Sequence, residues 1–177
     1  MEFANDGDLF QKITMHKQNG TDFEVEKVWS VFIQMVMGLK ALHGLQILHR
    51  DLKSANVFLF QDSVAKLGDL NVSKITKKGL GYTQTGTPYY ASPEVWRDKP
   101  YDIKSDMWSL GCVLYEMITL KLPFVAEDMD ALYRRVQKGT YQKITNPLFQ
   151  DLAFVIKNLL QISPKLRPTC GTYFYRM

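Results

Sequence analysis

Apolar residues in the first part of the chain recur at intervals of three and four, which predicts amphipathic helices. A first short helix is expected from Asp8 to about Met15, with Asp8 as its N-cap. The segment Thr21-Asp22-Phe23-Glu24 has the form of a capping box and predicts the start of a second, longer helix that ends at Gly44. One face of that helix is apolar, at Val25, Val28, Phe32, Met35, Val36, Leu39 and Leu42.

Two short apolar runs, Asn56 to Phe60 and Val64 to Leu67, predict strands joined by a tight turn at Gln61-Asp62-Ser63. The segment from Ser105 to Leu120 is apolar on nearly every side, so we expect a centrally buried helix there. Two further amphipathic helices are predicted near Asp128–Lys138 and Pro147–Leu160. The expected fold is therefore mainly α with a small β-hairpin. Residues 71–90 show no sustained period and predict a long loop.

Composition and charge are those of a globular domain rather than of a disordered or fibrous chain. The chain has 177 residues, 46% of them hydrophobic and 23% charged, and its 22 basic and 18 acidic residues give a net charge of +4. The basic residues are too scattered for a nucleic-acid partner. The longest apolar stretch, Met107 to Leu120, has about 14 residues and contains Glu116, so it is too short to cross a membrane.

Two cysteines, Cys112 and Cys170, are too few for a disulfide framework in a chain of this length. Charged residues interrupt any early apolar run, which argues against a secretory leader. We therefore expect an intracellular, cytoplasmic protein with reduced thiols, and an association with the cytoskeleton remains open.

The segment His49-Arg50-Asp51-Leu52-Lys53-Ser54-Ala55-Asn56 fits the pattern H-R-D-L-x-x-x-N at every defined position. Gly68-Asp69-Leu70-Asn71 follows at the exit of the second predicted strand, and Gly86-Thr87-Pro88-Tyr89-Tyr90-Ala91-Ser92-Pro93-Glu94 comes after it. In this order the segments resemble the catalytic core of the protein kinases. The family's hinge is resembled by the segment Met1-Glu2-Phe3-Ala4-Asn5-Asp6-Gly7-Asp8-Leu9. Within the protein kinases, these segments together most resemble the NIMA-related Ser/Thr kinases.

This resemblance implies transfer of the γ-phosphate of ATP to a protein Ser/Thr hydroxyl. Asp51 would accept the hydroxyl proton, Lys53 would lie near the γ-phosphate, and Asn56 and Asp69 would hold Mg²⁺. The predicted hairpin supports this assignment because it brings Asn56 and Asp69 to adjacent strand ends. Taken singly, each of these residues would be an ordinary cap or turn residue.

The resemblance also implies a nucleotide site. Backbone groups of Glu2 and Ala4 would bond the adenine edge, Asp8 would approach the ribose, and Phe58 would form the adenine floor. Lys53, Asn56 and Asp69 would complete the contacts to ATP.

Residues 69–94 correspond to the family's activation segment. Thr87 would hydrogen-bond near Asp51 and Lys53, and Arg50 would receive a phosphorylated loop residue. Thr83 is the expected activating phosphosite because it lies four residues before Thr87, with Thr85 as the second candidate. His49 is expected to serve in packing rather than catalysis.

Two structural contacts complete the resemblance. Glu94 would form a buried ion pair with Arg167, and loss of that arginine would leave an unpaired buried charge. Asp106 matches the residue that anchors the backbone of the catalytic loop.

The resemblance starts in the middle of a kinase domain. Two segments are similar to the glycine-rich loop and the strand lysine of kinases but lie at the wrong positions in the chain. Gly79-Leu80-Gly81-Tyr82-Thr83-Gln84 lies between Asp69 and Glu94, and Val64-Ala65-Lys66 lies inside the predicted hairpin. We therefore expect a helical C-terminal lobe over residues 9–177, preceded by a hinge over residues 1–8, without the β-sheet of the N-terminal lobe. The tail from Cys170 is too short for a full last helix, which also suggests truncation.

An incomplete domain of this kind would have little or no activity alone, because the lysine and its glutamate partner are needed with Asp69. An apolar surface around Phe58 and Leu70 would be exposed. The alternative hypothesis is a non-catalytic interaction module. Retention of Asp51, Lys53 and Asn56 together with Asp69 argues against it.

Overall fold

A central buried helix organises the fold of the computed structural model, which describes residues 4–70 and 88–174. This helix, α4 (Ile103–Thr119), is buried at every position from Ser105 to Ile118. It begins two residues before the predicted start because the Asp102 side chain accepts hydrogen bonds from the amides of Lys104 and Ser105. The prediction of a centrally buried helix is confirmed.

Helices α2 (Val25–Gly44) and α6 (Gln150–Leu159) pack against α4. The buried face of α2 consists of Val28, Val31, Phe32, Met35, Val36 and Leu39. Gly111 allows α6 to approach α4 closely, because a Cβ atom at this position would lie 2.8 Å from Leu159 Cβ. The core is therefore built around α4, with α2 and α6 against it.

Helix α1 (Leu9–Asn19) has the predicted N-cap. Asp8 Oδ1 accepts a hydrogen bond from the amide of Gln11 at 2.8 Å. The helix continues past Met15 and ends where Gly20 adopts a left-handed conformation with φ 64°.

The capping box predicted from Thr21 is wrong. Helix α2 begins at Val25, and its N-cap Glu24 makes no side-chain capping bond. Thr21 instead belongs to the exit from α1: its hydroxyl lies 2.8 Å from His16 Nδ1, and its amide donates to the His16 carbonyl at 3.0 Å. The same short motif is thus used to end one helix rather than to start the next.

The predicted hairpin is present in shorter form. Strands β1 (Val57–Leu59) and β2 (Ala65–Leu67) are antiparallel, with Phe58 opposite Lys66. Residues 4–8 run along the other edge of β1: the amide of Leu59 donates to Gly7 at 2.9 Å, and that of Asp6 to Leu59 at 3.2 Å. This segment therefore lies beside the strand that follows the His49–Asn56 motif.

The remaining helices are α3 (Pro93–Trp96), α5 (Met129–Lys138) and α7 (Cys170–Phe174). Helix α5 and the turn and helix over residues 147–159 match the two predicted amphipathic helices. The expected fold class, mainly α with a small β-hairpin, is confirmed. Within the described ranges no helix is both long and apolar enough to cross a membrane. Most of the predicted long loop lies outside these ranges.

Candidate active site

The segment His49–Lys53 lies between α2 and the hairpin and is held in place through its backbone. The carboxylate of Asp106, in α4, accepts hydrogen bonds from the amides of His49 and Arg50, both at 3.1 Å. Arg50 has a positive φ of 68°, an uncommon conformation that these bonds help to maintain. The anchoring contact expected of Asp106 is present.

Asp106 is fully buried, yet four hydrogen bonds stabilise its charge. Besides the two amides, His43 Nε2 lies 2.8 Å from Oδ2, and the Tyr101 hydroxyl donates to Oδ1 at 2.7 Å. Burial by itself would raise the pKa of Asp106, but these bonds outweigh it and hold the pKa below the usual 3.8. An ionised carboxylate at this position can therefore hold the loop rigidly.

Asp51, Lys53 and Asn56 form one hydrogen-bonded group. Lys53 Nζ lies 2.9 Å from Asp51 Oδ2, and Asn56 Nδ2 donates to the same oxygen at 3.1 Å and to the Asp51 carbonyl at 2.7 Å. The side chains of Asp51 and Lys53 are 39% and 36% exposed, whereas Asn56 is buried. This group thus combines a fixed geometry with access from solvent.

Asp69 lies next to this group at the end of β2. The amide of Gly68, the residue before Asp69, donates to the Asn56 carbonyl at 3.0 Å, so Asp69 follows directly on a backbone contact with the other predicted metal ligand. The buried ring of His49 feels both carboxylates: burial lowers its pKa, while Asp106, Asp51 and Asp69 oppose this electrostatically. Asp51 and Asp69 thus both act electrostatically on the buried His49 ring.

The donor atoms at this edge suit Mg²⁺. The amide nitrogen of Asn56 is bonded to Asp51, and among the hydrogen bonds of the described residues none uses Asn56 Oδ1. The Asp69 side chain is exposed. An amide oxygen and a carboxylate are hard ligands of the kind Mg²⁺ prefers, and two protein ligands are typical where phosphates supply others.

A second ion pair joins distant parts of the chain. Arg167 Nη1 and Nη2 contact Glu94 Oε1 and Oε2 at 2.5 and 2.7 Å, and the side chains are 0% and 8% exposed. Burial would raise the pKa of Glu94, but Arg167 outweighs this effect and lowers it. The ion pair expected from the resemblance is present.

The comparisons with known proteins agree with this geometry. The protein kinase domain family matches residues 1–175. The chain belongs to the protein kinases. Its relatives are NIMA-related (Nek) kinases: it is 41% identical over 99% of its length to serine/threonine-protein kinase Nek5 of Mus musculus and 38% identical over 99% to that of Homo sapiens. A probable serine/threonine-protein kinase nek3 of Dictyostelium discoideum is 43% identical over 96% of the chain.

The kinase chain spans only part of these relatives. It covers 28% of the mouse Nek5, 25% of the human Nek5 and 16% of the Dictyostelium protein. The NIMA-related assignment made from the motifs is confirmed.

Three of the residues predicted to contact the adenine or the ribose, Ala4, Asp8 and Phe58, lie on β1 or the segment before α1. Phe58 is half-buried, and its ring covers Gly68, where a Cβ atom would lie 2.5 Å from Phe58 Cε2. Ala4 is half-buried, and Asp8 uses one carboxylate oxygen to cap α1. Leu70 is 40% exposed, as expected for part of an apolar surface. Glu2 lies outside the described residues.

The predicted regulatory threonines Thr83, Thr85 and Thr87 lie outside the described residues. Arg50 is half-buried in the anchored loop. Lys66, which imitates the strand lysine of kinases, is an exposed residue of β2 whose amine lies 4.7 Å from the centre of the Phe60 ring.

Sequence reasoning missed a group of residues between α4 and the catalytic loop. The Tyr90 hydroxyl donates to Glu116 Oε2 at 2.7 Å and lies 3.1 Å from Ser54 Oγ. Glu116 is the one charged residue in the apolar stretch Met107 to Leu120, which was the available signal. His43 and Tyr101, the side-chain partners of Asp106, carried no comparable signal.

Proposed function

We propose that this chain carries the catalytic loop and magnesium-binding residues of a Ser/Thr kinase that transfers the γ-phosphate of ATP to protein hydroxyls. The observation that carries the proposal is the hydrogen-bonded group of Asp51, Lys53 and Asn56 beside Asp69. Phosphoryl transfer needs positioned groups and charge neutralisation more than covalent chemistry by the protein.

Each residue of the group has a role that its contacts support. Asp51 accepts the proton of the attacking hydroxyl, because its carboxylate is held in place by Lys53 and Asn56 but remains open to solvent. Lys53, bonded to Asp51, supplies positive charge where the transferred phosphate passes.

Asn56 and Asp69 would hold Mg²⁺ through oxygen atoms. The bound ion would neutralise charge on the phosphates of ATP. The protein's own contribution is to fix the orientation of Asn56, whose amide nitrogen is committed to Asp51.

We further propose that the 177-residue chain has little or no phosphoryl-transfer activity by itself. Its sequence contains neither a glycine-rich loop that follows a strand nor a V-A-x-K lysine outside the hairpin. Kinases use both to orient the phosphates. The substrate would be an intracellular protein, in keeping with the two free, buried cysteines.

The test is ATP-dependent phosphorylation of a generic Ser/Thr substrate by the protein expressed from its complete reading frame. Asp51→Asn should lower the rate by about 10²–10⁴-fold, the usual contribution of a general base. Asp62→Asn is the matched control, because Asp62 is an exposed carboxylate in the hairpin turn. Equal rates for the wild-type protein and Asp51→Asn would refute the proposal and favour a non-catalytic interaction module.

A further inference from the structure

The Tyr90 side chain is held between the central helix and the catalytic loop. The backbone carbonyl of Tyr90 accepts a hydrogen bond from Ser109 Oγ at 2.9 Å, and the side-chain hydroxyl donates to Glu116 Oε2 at 2.7 Å. Both partners lie on α4. Tyr90 therefore has little freedom relative to the core, although it stands at the end of the predicted activation segment.

Ser54 connects this fixed tyrosine to the catalytic loop. Ser54 is fully buried, follows Lys53 directly and begins the helical turn that contains Asn56. Its Oγ lies 3.1 Å from the Tyr90 hydroxyl. Because the single hydroxyl proton of Tyr90 is directed at Glu116, Ser54 must be the donor to Tyr90.

The environment makes this link difficult to replace. Glu116 is 5% exposed, and burial raises its pKa, whereas the hydrogen bond from the Tyr90 hydroxyl opposes this shift. A buried carboxyl group needs such donors, and a hydroxyl removed from the network leaves its neighbours under-satisfied. Water cannot easily enter, since Ser54 itself is fully buried.

We propose that Ser54 is a positioning residue that sets the distance between Tyr90, near the end of the predicted activation segment, and the hydrogen-bonded group of Asp51, Lys53 and Asn56. This inference rests on the proposed kinase function and deepens it. Asp51 and Lys53 precede Ser54 in the chain and Asn56 follows it, so a shift of the Ser54 turn moves the proton acceptor and a metal ligand together. A substrate hydroxyl positioned by the activation segment would then meet Asp51 at a wrong distance.

The prediction concerns kcat rather than nucleotide affinity. Small misplacements of reacting groups can lower rates about 10²-fold. We expect Ser54→Ala to lower kcat by about 5- to 30-fold. The KM for ATP should change less, because only the phosphate contacts predicted for Lys53 and Asn56 adjoin Ser54, whereas Ala4 and Phe58, which are predicted to contact adenine, lie on other segments. Ser54→Thr, which keeps the hydroxyl, should recover most of the rate.

The experiment measures kcat and both KM values for the wild-type protein, Ser54→Ala, Ser54→Thr, Tyr90→Phe and the double variant Ser54→Ala/Tyr90→Phe. Ser30→Ala, a half-buried serine on α2, is the control. If Ser54 acts through Tyr90, the double variant should lose no more kcat than the worse single variant. Thermal unfolding of every variant gives the folded fraction to which rates are normalised.

Two results separate the failure of this inference from the failure of the proposed function. A wild-type protein no faster than Asp51→Asn would refute the kinase proposal, and this inference with it. A wild-type protein that is active, with Ser54→Ala equally active, would refute the role of Ser54 alone. Losses in kcat that multiply in the double variant would refute the link through Tyr90.

Discussion

Two carboxylate–cation pairs of this kinase chain are built in opposite ways. The Glu94–Arg167 pair is bidentate and almost fully buried, with side chains 8% and 0% exposed. Arg167 also donates to the carbonyls of Gln161, Ile162 and Lys104. Nε, Nη1 and Nη2 of the guanidinium group therefore all donate hydrogen bonds to acceptors inside the fold.

The Asp51–Lys53 pair has a single contact of 2.9 Å, and more than a third of each side chain is exposed. Solvent screens such a pair, so its contribution to stability is small. The buried pair has all its partners inside the protein and is suited to holding the fold together. The half-exposed pair stays accessible, as the catalytic role proposed for Asp51 and Lys53 requires.

The largest effect is expected for Arg167→Ala. The variant leaves Glu94 buried without its counter-ion, which typically costs about 3–5 kcal/mol. Urea unfolding measures the loss, and Lys165→Ala, an exposed neighbour, is the control. Arg167→Lys keeps the charge but not the bidentate contact with Glu94, so we expect an intermediate loss of unfolding free energy. A loss below about 1 kcal/mol for Arg167→Ala would contradict the structural role.

Asp106→Asn should have the next largest effect, about 2–4 kcal/mol, because a buried carboxylate that accepts four hydrogen bonds becomes an amide with two donor hydrogens. Two of the four donors would then face an N–H group. Urea unfolding checks this. Asp102→Asn is the control, since asparagine caps helices about as well as aspartate.

The lowered pKa values of two buried carboxylates, Asp106 and Glu94, predict that the free energy of unfolding depends on pH. The folded-state pKa values of Asp106 and Glu94 are below the usual 3.8 and 4.5. Their stabilisation is therefore present above those values and is lost as the pH falls through the lower folded-state values. The unfolding free energy measured below about pH 5 should fall less steeply in Asp106→Asn than in the wild-type protein. If the unfolding free energy of both proteins falls equally steeply with pH, Asp106 does not contribute to the pH dependence.

Gly68→Ala should cost about 1–3 kcal/mol, because the new methyl group would displace the Phe58 ring. At Gly44 a Cβ atom meets nothing within 4 Å, so Gly44→Ala serves as the control. Since Phe58 is the predicted adenine floor, nucleotide affinity should also fall in Gly68→Ala. Unchanged stability and affinity would show that the ring moves aside freely.

The smallest effect on stability is expected at the catalytic pair. Lys53→Ala should change the unfolding free energy by less than about 1 kcal/mol, as do most exposed ion pairs. The phosphorylation rate should nevertheless fall, because Lys53 contacts Asp51, the proposed proton acceptor. A loss of stability as large as that of Arg167→Ala would remove the contrast between the two pairs.

Much of the fold could be predicted from local patterns. The Asp8 cap, the buried helix around Met107 and the hairpin depend on neighbours in the sequence, so short-range chemistry identifies them. The capping box at Thr21 failed because His16, a residue of the preceding helix, competes for the same hydroxyl. A motif of four letters cannot show such a competitor.

In the candidate site, too, contacts between residues close in the sequence could be predicted, whereas contacts between distant segments could not. Asp51, Lys53 and Asn56 lie within six positions of one another, so their motif could be recognised directly. The link from Ser54 through Tyr90 to Glu116 spans three separate segments, and no spacing rule connects them. A lone glutamate in an apolar helix was a visible signal, but its partners could only be found in space.

The kinase family, the hairpin, most of the helices and the residue types of the segment His49–Asn56 could be inferred without coordinates, because they depend on patterns within short windows. The tertiary structure decided which charges are buried, how Asp106 holds the loop through four hydrogen bonds, and how Ser54 reaches Tyr90. Burial and hydrogen-bond geometry depend on how distant segments pack around α4, and that packing is a property of the whole fold.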